Sequence, residues 1–186
     1  MEHALALASR DPEVLMYAGR VWMELGEREK SVTALRRGTQ LSPYDLMEWG
    51  FLARALAFGT RENAVEAHAI VARIIEIAPE HPCVWTWELF QGVACLNLEH
   101  YAEALGLFHQ VVEAAPKFVR GLMCLANALG ACGHNMAARA IIERALAVNA
   151  NFTAQRYAGY VRTLSANQDS ARRLLVGLVK AQVIEA

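Results

Sequence analysis

Six histidines, four cysteines and five serines are the side chains that could bind a metal or attack an electrophile. Zinc sites draw on His and Cys at short fixed spacings, and a hydrolytic serine sits in a tight G-x-S-x-G turn. The histidines are His3, His68, His81, His100, His109 and His134, and none forms an H-E-x-x-H pair. His81-Pro82-Cys83 is the densest polar group and reads as a solvated loop. Cys83, Cys95, Cys124 and Cys132 contain no C-x-x-C pair. They fall in apolar helical stretches or at a helix start. That is the pattern of small buried hydrophobes in a reducing compartment, so a cytoplasmic location is expected. Ser9, Ser31, Ser42, Ser165 and Ser170 occupy no nucleophile elbow, and the glycines are too dispersed for a phosphate loop. The expectation is a protein without catalysis, cofactor or metal.

What the chain does repeat is a helix pattern. In the stretch from Tyr101 to Pro116, Ala104, Leu107, Phe108, Val111 and Val112 form one apolar stripe at helical period. Pro116 closes it, having no N–H to continue the ladder. The small residue of this helix recurs as Ser31, Ala67, Ala104, Ala138 and Ala171, at separations of 36, 37, 34 and 33 residues. Four residues on come Leu35, Val71, Phe108, Ile142 and Leu175, and three further Gly38, Ile74, Val111, Ala145 and Leu178. Pro43, Pro79, Pro116 and then Ala150 end the units. Preceding helices share a second small column, Gly19, Ala55, Gly92, Ala126 and Gly159, where close helix approach leaves no room for a large side chain. The spacing predicts helices over residues 13–25, 27–41, 49–58, 64–77, 83–98, 101–114, 119–132, 136–148, 153–164 and 169–181. Nothing alternates at period two, so no strand is expected.

Composition narrows the class. The 186 residues are 55% hydrophobic, with 18 Lys and Arg against 19 Asp and Glu, a net charge of −1. That balance argues against a nucleic-acid surface. No apolar run is long enough to span a bilayer, and no basic segment precedes an apolar core at the N-terminus, so neither a membrane insertion nor a signal peptide is expected.

In these columns the chain resembles the tetratricopeptide repeat family, best in Tyr101-Ala102-Glu103-Ala104-Leu105…Phe108…Val111…Pro116 and next in Gly26-Glu27…Ser31…Leu35…Pro43. The resemblance covers roughly residues 12 to 181 in five units. It implies an all-α fold, an α-α superhelix: a right-handed solenoid of helix–turn–helix repeats. One solenoid domain over 1–186 is expected. It would comprise a partial unit at 1–11, repeats at 12–45, 46–81, 82–118 and 119–151, and a degenerate repeat with a capping helix at 152–186. The half-unit Ala4 to Asp11 cannot bury its own apolar face, so either more chain is expected upstream or this turn packs as a stub. Three residues depart from the family pattern: Arg54 and Gln91 where it favours leucine, and Glu88 where it favours a bulky apolar residue.

The resemblance also implies a function: first helices line a concave groove that holds a segment of another protein. The groove-facing residues would be Tyr17, Arg20, Trp49, Leu52, Leu56, Leu89, Phe90, Val93, Asn97, Arg120, Met123, Asn127, Arg156 and Tyr157. The family's carboxylate-clamp members use paired lysines and asparagines there; this chain has only Lys30, Lys117 and Lys180, none at these positions. The expected partner is therefore a peptide or an amphipathic helix of another protein, or another domain of the same chain, on an apolar surface with arginine points. Leu52, Leu56, Leu89 and Val93 look more like core than rim, so the array's own curvature or a homodimer would cover part of it. More loosely, residues 151–181 resemble the C-terminal repeats of bacterial signalling proteins such as class III adenylyl cyclases and winged-helix regulators. That likeness implies a regulatory module. A secretion or pilus assembly factor is the remaining alternative.

Overall fold

A computed structural model describes residues 10–185, so the stub expected at the N-terminus lies almost wholly outside the described residues. Ten α-helices and no strand make up the described chain: α1 (Pro12–Glu24), α2 (Arg28–Leu41), α3 (Leu46–Ala57), α4 (Arg61–Ile77), α5 (Val84–Asn97), α6 (Tyr101–Ala114), α7 (Val119–Ala131), α8 (Asn135–Val148), α9 (Ala154–Leu164) and α10 (Gln168–Lys180). None is long and apolar enough to cross a membrane.

Local chemistry sets the boundaries. Asp11 caps α1 by accepting from the Glu13 and Val14 amides, with Pro12 just inside, where a missing N–H costs nothing. Asp45 caps α3 in the same way, which starts it at Leu46 rather than at Trp49. Thr60 and Asn63 cap each other reciprocally, which starts α4 at Arg61 rather than at Ala64. The turns after α1, α5 and α7 share one closure. Gly26, Glu99 and Gly133 take left-handed backbone (φ 77°, 66° and 86°), and the next amide reaches back to Trp22, Cys95 and Leu129.

Helices α1 to α8 stack as four hairpins. First helices α1, α3, α5 and α7 touch one another in series, whereas second helices touch first helices and hardly each other. The first helices are therefore the inner layer. All fifteen residues of the three second-helix columns are buried. A Cβ at Gly19 would fall 2.5 Å from Leu35, and one at Gly92 2.5 Å from Phe108, so this column holds the hairpins at close approach. The chain is thus an α-α superhelix of TPR-like hairpins.

The last pair leaves the register. A stacked fifth unit would pack α9 on α8 and α10 on α9. Instead α9 makes little contact with α8, and α10 packs chiefly on α7, with lesser contacts to α9 and α5. Gly159, expected in the small column of close approach, is exposed, and a Cβ added there would meet nothing within 4 Å. The α9–α10 hairpin turns back onto the inner layer.

Polar main-chain contacts explain the turn. The Ala166 amide donates to Phe58 O and the Ser170 hydroxyl to Gly59 O, both at the end of α3. Asn97, buried at the end of α5, donates to Ala57 O and Gly59 O and accepts from Arg173. Asn127, buried in α7, donates to Leu174 O and accepts from the Gly177 and Leu178 amides. Gly130 and Gly177 let the α7 and α10 backbones meet; a Cβ at either would strike main-chain atoms of the other. Helix ends leave carbonyls unpaired, and α10 runs along three such ends supplying donors. Its Arg173 also brings a positive charge to the negative ends of helix dipoles.

Candidate functional site

Because α9 crosses the inner layer, the groove becomes a chamber of about 490 Å³. Tyr17, Arg20, Val21 and Glu24 of α1 form one side, with Phe51, Arg54 and Phe58 from the α3 hairpin. Helix α5 contributes Trp85, Thr86, Leu89, Phe90 and Val93; Phe118, Arg120 and Cys124 come from the α7 region, and Tyr157 and Tyr160 from α9. The volume is that of a ligand pocket, apolar with a few placed polar groups.

Three guanidinium groups share this aromatic space. Arg54 is buried and donates to both Glu24 and the Tyr160 hydroxyl. Arg120 donates to the same hydroxyl and lies 5.5 Å from the Tyr160 ring centre. Arg20 lies over the Phe51 and Tyr17 rings, at 4.5 and 5.5 Å. Aromatic faces attract cations, which keeps Arg20 in place without an acid. Among the described residues, neither Arg20 nor Arg120 has a carboxylate in salt-bridge reach. Three arginines less one glutamate leave the lining at +2, against −1 for the whole chain.

Cys124 lies 3.2 Å from the Tyr157 hydroxyl. Burial pushes the Cys124 thiol up to about 11 and the Tyr157 hydroxyl well above its ordinary value. Both stay protonated at neutral pH, so Cys124 is a packing thiol rather than a nucleophile.

Seven of the residues expected in the groove line the chamber: Tyr17, Arg20, Leu89, Phe90, Val93, Arg120 and Tyr157. Leu52, Leu56 and Met123 do not; all three are fully buried core. Asn97 and Asn127 are also fully buried, their amides spent on the main chain of the α3 end and of α10. Trp49 donates its indole N–H to Pro43 O, and Arg156 donates to Asn151 O, both away from the chamber.

Arg54, Phe51, Trp85 and Phe118 also line the chamber and lie outside the expected groove, whereas Tyr160 lines it as its place in the fifth unit implies. Arg54 had a signal: an arginine in a leucine column of the repeat is tolerated only where something neutralises it. Gln91, a second departure, is buried within 3.4 Å of His68. His68, Cys95 and Glu103 form a second side-chain cluster, outside the chamber, with metal-binding atom types.

No protein-family model matches the chain, and no curated protein matches it. Solved structures do. PilW, described as a widely conserved type IV pilus biogenesis factor, superposes with a TM-score of 0.70 at 15% identity, over 96% of this chain and 81% of that one. A MamA structure gives 0.59 at 15% identity over 80% and 84%. MamA from Desulfovibrio magneticus RS-1 gives 0.59 at 16% identity over 92% of this chain and 93% of that one. At such identities the likeness is one of fold, the helical-repeat solenoid.

Proposed function

We propose that this chain is a non-catalytic protein-interaction scaffold that receives a segment of a partner protein in the arginine-bearing aromatic chamber. The observation that carries the reading is the surplus of positive charge inside an apolar cavity. Arg20 and Arg120 are held by aromatic faces and one hydroxyl, so they remain available to an incoming anion. A partner segment with aromatic or aliphatic side chains and a carboxylate meets both features. Arginine supplies here what lysine supplies in the family's carboxylate clamps. The fold is shared with PilW, described as a pilus biogenesis factor, which supports a role in assembly rather than in chemistry, and the free cysteines suit a cytoplasmic location.

A second reading has one specific support. Helix α9 already places Tyr157 and Tyr160 in the groove, so a segment of the same chain can dock there. On that reading the module binds another domain of its own chain.

The test is site-specific photo-crosslinking from Phe51 or Trp85, with the captured segment identified by mass spectrometry. The scaffold reading expects one partner segment, lost in Phe90→Glu and weakened in Arg20→Ala and Arg120→Ala while helical content is unchanged. Crosslinks confined to the chain's own sequence favour the regulatory module. Capture that survives Phe90→Glu would reject the chamber as the binding surface.

A further inference from the structure

The cluster of His68, Cys95 and Glu103 uses three successive helices, α4, α5 and α6. One potential ligand atom from each lies within 4.8 Å of both others. His68 Nε2 is 2.8 Å from Glu103 Oε1, and Gln91 Nε2 approaches the same ring nitrogen at 3.4 Å. A single imidazole nitrogen cannot donate to the carboxylate and also accept from an amide, so His68 Nε2 has more suitors than valences. His100 Nδ1 stands 3.7 Å from the other Glu103 oxygen. Cys95 is wholly buried behind these groups, while the His68 and Glu103 side chains are 31% and 47% exposed. The arrangement has a closed back and an open front.

We infer that His68, Cys95 and Glu103 form a zinc-class metal site, with water in the fourth position. One imidazole nitrogen, one thiolate and one carboxylate are a borderline-soft donor set that suits Zn²⁺ and its spectroscopic stand-in Co²⁺. Ligands about 2.0–2.3 Å from a tetrahedral ion stand roughly 3.3–3.6 Å apart. The His68–Glu103 contact must therefore open by about half an ångström. The exposed Glu103 side chain can do this by rotation, while Cys95 and His68 stay on their helices. A thiol binds a metal ion as its thiolate, so binding at this site releases the Cys95 proton. No part of this site lines the chamber, so it acts on the stack: one ion would tie three consecutive helices together.

Co²⁺ titration of the full chain tests the site. A tetrahedral cobalt spectrum with a thiolate charge-transfer band is expected, displaced by Zn²⁺, with uptake strengthening as pH rises. Cys95→Ser should abolish the thiolate band, whereas Cys83→Ser, Cys124→Ser and Cys132→Ser should keep it. Glu103→Gln, at an exposed side chain that does not threaten folding, should weaken Co²⁺ binding at least tenfold, and His68→Gln likewise. Zn²⁺ should raise the Tm of the native chain and not that of Glu103→Gln. A native chain without the thiolate band, a band that survives Cys95→Ser, or affinity unchanged in Glu103→Gln each overturns the assignment.

Discussion

The hydroxyl of Tyr160 lies 2.9 Å from the guanidinium of Arg54, although 106 residues separate them. Arg120 donates to the same oxygen at 2.9 Å. Tyr160→Phe removes the acceptor for two charged donors and leaves the aromatic body. Arg54 keeps Glu24, but Arg120 loses its hydrogen-bond partner. A hydrogen bond to a charged group contributes about 1.5–3 kcal/mol, so destabilisation on the order of 2 kcal/mol is expected, measured by denaturant unfolding. A loss below about 0.5 kcal/mol would show that solvent replaces the hydroxyl.

Gly177 should be the position least tolerant of a methyl group. An added Cβ meets the Asn127 carbonyl and the Ala131 amide, backbone atoms that cannot move aside. Gly177→Ala should lift α10 from α7, and α9 should follow it. Amide exchange would then rise across residues 154–180 and remain slow in α3 to α6. Uniformly unchanged exchange would contradict the docking described for this hairpin.

Two glycines flanking one hairpin turn should respond with opposite signs. Gly92 faces Phe108, and Gly92→Leu should cost about 1–3 kcal/mol through overpacking. Gly106 is exposed within α6 with nothing within 4 Å, and Gly106→Ala should add about 0.5–1 kcal/mol through helix propensity. Thermal unfolding of the two variants decides both; destabilisation by Gly106→Ala would mean that α6 has a neighbour in solution.

Glu48 gives the fold a pH dependence of unusual direction. Its side chain is buried against Gly38, and Oε2 lacks a hydrogen-bond partner. Burial, and secondarily Asp45, push its carboxyl from 4.5 to about 7. The native state therefore holds this proton more tightly than the unfolded chain does. Its stabilising effect is complete below about 4.5 and disappears as pH rises through about 7, a change on the order of 3 kcal/mol. Native Tm should fall between pH 5 and 8, and Glu48→Gln should flatten that fall.

The stack was legible because each hairpin is a local solution to a local pattern. Ala67, Val71 and Ile74, or Ala104, Phe108 and Val111, can be buried only by the helix before and the helix after. The hairpin at residues 154–180 defeated the same reasoning. Ala171, Leu175 and Leu178 are buried as their column requires, but the helix that carries them packs chiefly on α7 rather than on α9. An apolar stripe states that a face is covered and not what covers it. Asn97, Asn127 and Gly177 made the choice, through main-chain hydrogen bonds and close approach that have no periodic signature. Arg54 was visible as an oddity and not as a site, because Tyr160 and Glu24 reach it from different helices. The metal-type cluster was hidden for the same reason: His68, Cys95 and Glu103 have no recognisable spacing along the chain.

The return of the last hairpin alters how the molecule holds together. A linear solenoid has two free ends, and each unit melts at the expense of its immediate neighbour alone. Here Ala166 and Ser170 are bonded to Phe58 and Gly59, more than a hundred positions away, so the C-terminal end is not free. Unravelling from that side must break contacts with α3, α5 and α7 together. The array behaves as a closed circuit, with cooperativity nearer that of a globular domain. Its higher contact order implies slower formation, because loop-closure entropy is met before the clasp can form.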